Sequence, residues 1–466
     1  MSKVISQETF DDVVKENIVD FSMDPVEAKE ETIKQFEAQG INLANIIKDL
    51  ALNPDSGVPL LNETIDKIKA HIGANSSETE TLLECLVILE EECQKSIPHR
   101  VLAGKNGAHD VLITLLEGQV LSENNSNPNI EVLEKCLKAM NSLINKQPDL
   151  FDAESLALII PLLKVENVEI CCLTLQWLQK ACIMHEMNRQ NIMNAGLLKH
   201  LKSHVSKNNV QVLSNVIAVF RYLVLDDDIR IEYGCAHEHA KNIANEVLVD
   251  LTKLLKDIQD TNVVADLLLT IGTLSVRHEF CAAVEEVGGL KIIFEIMTAN
   301  PKSVRINREA LKLIRALAGH DSVKLQIVQQ GAAPIIKELL VIHNSNENVV
   351  SVALLCISTL TLRAKDNSVT FFEIGVTEPI VEVIRLHPKN KMIQRNAAWA
   401  IRNMVSRSRD QCETWLSHGI EDLLNAAMIE HPAVEHDIKA ALRDLGCKVV
   451  LKEEWTGTAE KKIVNS

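Results

Sequence analysis

QGAAPIIKELL, residues 330–340, is a glycine followed by an apolar helical run, and the same arrangement returns along the chain. It appears as NGAHDVLITLL at Gly107, NAGLLKHLKSHV at Gly196, VGGLKIIFEIM at Gly289, IGVTEPIVEVI at Gly375 and HGIEDLLNAAM at Gly419. From Gly289 onward the intervals are 42, 44 and 44 residues, and the earlier gaps of 89 and 93 are each about two such periods. Ser155 in DAESLALIIPLL fills one missing slot, and the other falls near Asn245.

A second pattern precedes the glycines. Segments such as TLQWLQKAC, ALKLIRALA, ALLCISTLT and AAWAIRNMV carry apolar residues at helical spacing. One slot from each copy gives Leu143, Ala181, Leu223, Leu274, Leu317, Leu360, Met404 and Leu445, at intervals of 38, 42, 51, 43, 43, 44 and 41. A weaker copy, LLECLVILEEEC, lies at residues 82–93, before a polar break, SENNSNPN, at 122–129. Self-similarity at this period means units of a few short helices that bury a core only by stacking on one another. The glycine is expected to let the chain turn tightly between the long helix of a unit and the next helix.

Composition agrees. Hydrophobic residues make up 46% of the chain and aromatics 3%, which suits helices packed through Leu, Ile, Val and Ala. Only 17 Gly and 12 Pro occur in 466 residues, too little turn chemistry for an all-β fold. The net charge of −16 argues against nucleic acid or an anionic membrane as partner. Acidity is already concentrated in residues 1–40, with ten Asp and Glu against four Lys. The sequence holds neither a CxxC pair nor an N-terminal signal pattern nor an apolar run of membrane-spanning length. The 11 cysteines are therefore expected to be reduced, in an intracellular protein, cytoplasmic with the nucleus also open.

The recurring glycine, apolar helix and ALxxLxxL-like segment resemble the armadillo-repeat family, with about nine copies over residues 60–450. HEAT repeats overlap in period, but the glycine-anchored turn fits armadillo better. The resemblance implies an all-α, right-handed α-solenoid, with an acidic helical N-terminal region at 1–58, the solenoid at 59–447 and a C-terminal cap and tail at 448–466. The N-terminal segment from QETFDD, the central DDDIR…HEHAK and the C-terminal ALRDLGCKVVLKEEWTG resemble one branch of that family, for which no biochemical activity is defined.

Several groups of residues suggest chemistry. DDDIRIEYGCAHEHAK, residues 226–241, holds Cys235, His237 and His239, all zinc-ligand types, beside Asp226, Asp227 and Asp228. A spacing of two suits a ligand set only in an extended segment; on a helix His237 points away from the other two. The stretch also lies where the repeat interval lengthens to 51, so it is read as a long connection that is structural or binds a partner, with metal as the alternative. In its sharper form this expectation has the three aspartates hold the partner, so that replacing them by Ala weakens capture without lowering the melting temperature.

WAIRN, Trp399 to Asn403, has the WxxxN spacing of importin-like carriers, in which the Asn grips a peptide backbone and Trp residues flank Lys side chains. The pair is not repeated: the other Asn slots hold residues such as Lys180, Thr273 and Ala316. Arg221, Arg315, Arg402 and Arg443 share one slot, two residues before the marker, and could clasp an acidic partner or pair within the fold. No GxxxxGK, GxSxG, GxGxxG or HExxH occurs; HEMNR at His185 and HEFCA at His278 lack the second histidine. The expectation is a non-enzymatic scaffold without a cofactor, binding a protein or peptide segment along the concave groove. Candidate contacts are Arg221, Asp226, Asp227, Asp228, His237, His239, Arg315, Trp399, Arg402 and Asn403.

Overall fold

The computed structural model describes residues 4–48, 59–74, 79–121 and 128–449. The expected boundary at 58, the polar break apart from its last two residues, and the tail from 450 onward lie outside the described residues. Among the described residues the elements are α-helices and short 3-10 turns with no strand, so the chain is an all-α solenoid. None of these helices is long and apolar enough to cross a membrane. They fall into two compact units, residues 1–204 with 211–239 and residues 205–210 with 240–466.

In the second unit the repeat is three helices. One copy runs His278–Glu286, Gly289–Ala299 and Val304–Leu317; the next runs Asp321–Gln329, Ala332–Ile342 and Glu347–Thr361; a third runs Lys365–Glu373, Thr377–Leu386 and Lys391–Val405. The glycine turn thus lies between the first and second helices rather than directly after the long one. A nine-residue helix that was not anticipated occupies the gap.

Six of the long helices start for a local reason. The side chains of Asn129, Asn167, Asp260, Ser303, Asn346 and Asn390 accept backbone N–H groups of the first turn. Such a cap is worth about 1 kcal/mol. Packing contributes more, since one fully buried Leu or Ile stabilises by about 1.5–3 kcal/mol. All eight marker residues, from Leu143 to Leu445, are buried. In the first unit the long helices stack in the order Thr79–Lys95, Ile130–Leu143, Val168–Cys182. In the second they stack as Thr261–Leu274, Val304–Leu317, Glu347–Thr361, Lys391–Val405, Glu435–Leu445.

The turn glycines Gly107, Gly196, Gly331, Gly375 and Gly419 all have φ between +73° and +98°. At VGGLK the turn residue is Gly288, with φ +75°, one position before the glycine singled out from sequence. Gly289 is needed for a different reason: a Cβ there would lie 2.5 Å from the carbonyl oxygen of Val284.

A second periodic device joins neighbouring repeats. His343, His387 and His431 follow the second helix at intervals of 44, and each Nε2–H donates to a carbonyl of the preceding repeat: Pro301 at 2.8 Å, Asn344 at 2.6 Å and Pro388 at 2.8 Å.

At the N-terminus, helices Gln7–Val19 and Pro25–Ala38 form a hairpin around Phe10, Phe36, Leu43 and Ile46. The hairpin and helix Ile97–Lys105 line a common cleft of about 1090 Å³, so the N-terminal region lies beside the first repeats.

The stretch at 226–241 breaks the pattern differently from the long connection expected. Residues 225–235 form a loop, and one helix of 19 residues, Ala236–Leu254, stands where other repeats have two helices and a glycine. Asn245, where a turn was expected, lies inside that helix.

Candidate partner-binding surface

Of the three aspartates of the central loop, Asp226 is exposed, while Asp227 and Asp228 are tied into the fold. Asp227 Oδ1 accepts from Arg189 Nη1 at 2.7 Å and its Oδ2 from the Met184 backbone at 3.1 Å. Asp228 Oδ2 accepts the backbone N–H of Glu186 at 2.9 Å, at the start of helix Glu186–Asn194. Its Oδ1 takes Arg230 Nε at 2.9 Å. Arg230 in turn reaches Asp149 Oδ1 at 2.9 Å and the Met184 carbonyl at 2.9 Å. Glu186 binds Arg189 Nε at 2.9 Å and accepts the Cys235 N–H at 2.6 Å. The loop is therefore fastened at both ends to one helix N-terminus, where carboxylates are favoured by the exposed N–H groups and the helix dipole. Gly234 completes the fit, because a Cβ there would come within 3.2 Å of Asp226 Oδ1 and 3.4 Å of the Glu186 carboxyl carbon.

The electrostatics follow from this geometry. Hydrogen bonds from Arg230 and from the Glu186 backbone hold the Asp228 carboxyl well below the usual carboxylate range. Burial works against the charged form of Glu186, but bonds from Gln190, the Cys235 backbone and Arg189 outweigh it and lower its pKa. Arg230 likewise lowers Asp149.

The sulfur and imidazoles of the loop do not converge. Cys235 Sγ accepts from Gln190 Nε2 at 3.4 Å. His239 is buried and its Nδ1–H donates to the Leu223 carbonyl at 3.0 Å, whereas His237 is exposed two residues earlier on the same helix. No group of three metal-ligating side chains is brought together among the described residues. The loop shows two large side chains to solvent, Ile229 at 91% and Tyr233 at 83% exposure, beside the exposed Asp226, Arg230 and Glu232.

The sequence motif HEMNR, set aside as an incomplete metal motif, supplies the partners of the aspartates. Glu186 and Arg189 are both about 1% exposed and form a buried ion pair three residues apart.

The other candidates lie on the long helices. Trp399 is half-buried, and the Arg395 guanidinium lies 4.5 Å from its ring centroid. Asn403 does not reach outward: its amide donates to the Ser358 carbonyl at 2.8 Å and hydroxyl at 3.0 Å, on the preceding long helix. Asn396, seven residues earlier, does the same to Ser351 at 3.0 and 3.1 Å. The Asn of WxxxN therefore ties repeats together here. Arg402 Nε and Arg443 Nε meet the two oxygens of Asp444 at 3.3 and 3.0 Å. Arg315 is exposed, while Arg221 is half-buried with a partner of its own. In the first unit Lys180 Nζ donates to the Asn141 carbonyl at 2.7 Å, and burial, aided by Arg100, lowers its pKa to about 8.

Register links these side chains. Arg308, Lys312 and Arg315 lie five, nine and twelve residues after the cap Ser303, and Arg395, Trp399 and Arg402 lie at the same offsets from the cap Asn390. The spacing of four and then three places each trio on one face of its helix.

A family profile described as ARMC6 matches residues 61–464, and a profile of the armadillo repeat-containing protein 6 N-terminal domain matches residues 2–78. The chain is 67% identical over 465 residues to the Drosophila melanogaster armadillo repeat-containing protein 6 homolog, covering 99% of this chain and 100% of that one. It is 34% identical over 476 residues to the Homo sapiens armadillo repeat-containing protein 6, covering 98% of this chain and 93% of that one. Among solved structures, an engineered protein aligns with a TM-score of 0.57 at 15% identity, over 84% of this chain and 100% of that one, a likeness of fold.

Proposed function

The chain belongs to the armadillo repeat-containing protein 6 family, and on that premise we propose that it is a non-enzymatic interaction scaffold whose partner is a protein or peptide segment. In the second unit the segment lies across the exposed face of the stacked long helices. One observation carries this: side chains at the same offsets from the caps of two long helices with one long helix between them, Arg308, Lys312 and Arg315 and then Arg395, Trp399 and Arg402, lie on that face. A row with a repeat-set spacing suits a ligand that itself repeats along its length, which a polypeptide backbone does. We also propose an intracellular location, cytoplasmic with the nucleus also open, on the expectation that the cysteines are reduced.

Asp227 and Asp228 of the central loop are not part of this surface, since they already accept hydrogen bonds from within the fold. The test is cross-linking of the full chain to captured partners, followed by mass spectrometry. Cross-links from Lys312 and Lys391 to a partner support the reading. Partners that cross-link only elsewhere overturn it.

A further inference from the structure

The surface just described has a sign. The chain as a whole carries a net charge of −16, yet from Lys391 to Arg409 it holds Lys391, Arg395, Arg402, Arg407 and Arg409 with no acidic residue. On the long-helix face of the second unit Arg308, Lys312, Arg315, Arg395, Arg402 and Arg443 meet only two carboxylates, Glu309 and Asp444. Both carboxylates are buried, at 3% and 7% exposure. Most of the positive charge on the face is therefore uncompensated.

Two of these arginines have no ion pair among the described residues. Arg315 is exposed. Arg395 is half-buried, stacked over Trp399, and its Nε is buried without a hydrogen-bond partner. A guanidinium fixed by an indole face and short of acceptors is prepared for a carboxylate, which it binds in a planar two-point fork.

We propose that this face binds an acidic segment of a partner protein, a proposal that rests on the scaffold reading above and gives the partner its chemistry. The geometry also sets the spacing. Helices Val304–Leu317 and Lys391–Val405 each pack against Glu347–Thr361 between them. Packed helices lie about 8–10 Å apart, so the two arginine groups are separated by about 20 Å. An extended chain advancing about 3.3 Å per residue crosses that distance in about six residues. At the same offsets the intervening helix carries no charge, with Ser351 and Leu355 half-buried and Ser358 buried, so the segment has two acidic clusters with uncharged residues between them.

A nucleic-acid strand fits less well. It carries a charge at every nucleotide, including over the neutral helix, where no cation meets it.

The test uses the full chain and a short fluorescent peptide with two glutamate pairs set about six residues apart, read by anisotropy. The wild-type chain binds it in preference to the same peptide with lysine pairs. The double substitution Arg315→Glu and Arg395→Glu weakens binding about tenfold or more at an unchanged melting temperature, and the lysine peptide then binds better. Arg315→Gln with Arg395→Gln gives a smaller loss and serves if the reversed pair is unstable. Equal binding of the two peptides, retained affinity after charge reversal, or tighter binding of a single-stranded oligonucleotide overturns the proposal. Partners that cross-link to this face regardless of charge reversal sink the acidic segment alone; absence of cross-links on the face sinks the scaffold reading itself.

Discussion

Arg189 Nη1 lies 2.7 Å from Asp227 Oδ1, joining a helix of one repeat to a loop 38 residues further along. The arginine is 1% exposed, and its Nε binds the equally buried Glu186. A buried guanidinium whose Nε and Nη1 reach two carboxylates and the Cys182 carbonyl has its charge compensated within the fold. The most conspicuous letters in the sequence thus serve to hold an irregular repeat in place.

Removing one member of a buried network leaves the others uncompensated, which costs about 3–5 kcal/mol. Arg189→Met, which keeps the aliphatic bulk, is expected to fall in that range. Asp227 is a third exposed, so Asp227→Asn loses less, about 1–2 kcal/mol. The Asp226–Asp228 triple alanine lowers the melting temperature, contrary to the behaviour expected of a surface contact. Urea titration of the variants measures all three, and an unaltered midpoint for Arg189→Met rejects the clamp.

The same loop makes stability depend on acid. Asp228, Asp149 and Glu186 have folded pKa values below their ordinary 3.8, 3.8 and 4.5. A depressed carboxylate stabilises fully above its unfolded pKa and loses that contribution as pH falls toward the folded value, because the unfolded chain takes up the proton first. Stability is expected to decline as pH drops past about 4.5 and further below 3.8. Asp228→Asn removes part of that slope, so the gap between wild type and variant narrows from pH 7 to pH 3. A constant gap counts against the assignment.

The periodic features were legible because a solenoid writes each packing requirement many times. Eight marker residues and a turn glycine recur at nearly constant spacing, and all eight markers are buried. The nine-residue first helices escaped notice because they are short and weakly patterned. The histidines at 343, 387 and 431 recur at intervals of 44, so this device too is visible in the sequence. The central loop was misread for a physical reason: aspartate, cysteine and histidine are chemically suited to metals and equally to capping backbone N–H groups. Only the position of Glu186 and Arg189, remote in sequence, decides between those uses.

Gly288 and Gly289 stand side by side and answer to different constraints, which substitution separates. Gly288 needs a left-handed backbone, φ +75°, that Asn visits more readily than Ala. Gly288→Asn is therefore expected to cost less than Gly288→Ala, itself about 1–2 kcal/mol. At Gly289 any Cβ meets the Val284 backbone oxygen at 2.5 Å, so Ala and Asn are both rejected, at about 1–3 kcal/mol or more. Thermal melts of the four variants check the pattern. Equal tolerance of Asn at the two sites contradicts it.

Lys180 gives a second stability signature of the same sign, at alkaline pH. Its ammonium is half-buried against the Asn141 carbonyl, and burial with the nearby Arg100 lowers its pKa from 10.5 to about 8. Below pH 8 the folded protein holds a poorly solvated charge and bears that cost in full. Between pH 8 and 10.5 the folded chain releases the proton while the unfolded chain retains it, so the unfolded state binds more protons and stability rises with pH. Lys180→Met lacks this titration and keeps the methylene packing. Wild type is therefore expected to gain on the variant as pH increases from 7 to 9.5, a comparison that cancels the other alkaline titrations. A difference that stays flat over that interval shows that Lys180 is solvated like an ordinary surface lysine, and removes it from the buried part of the long-helix stack.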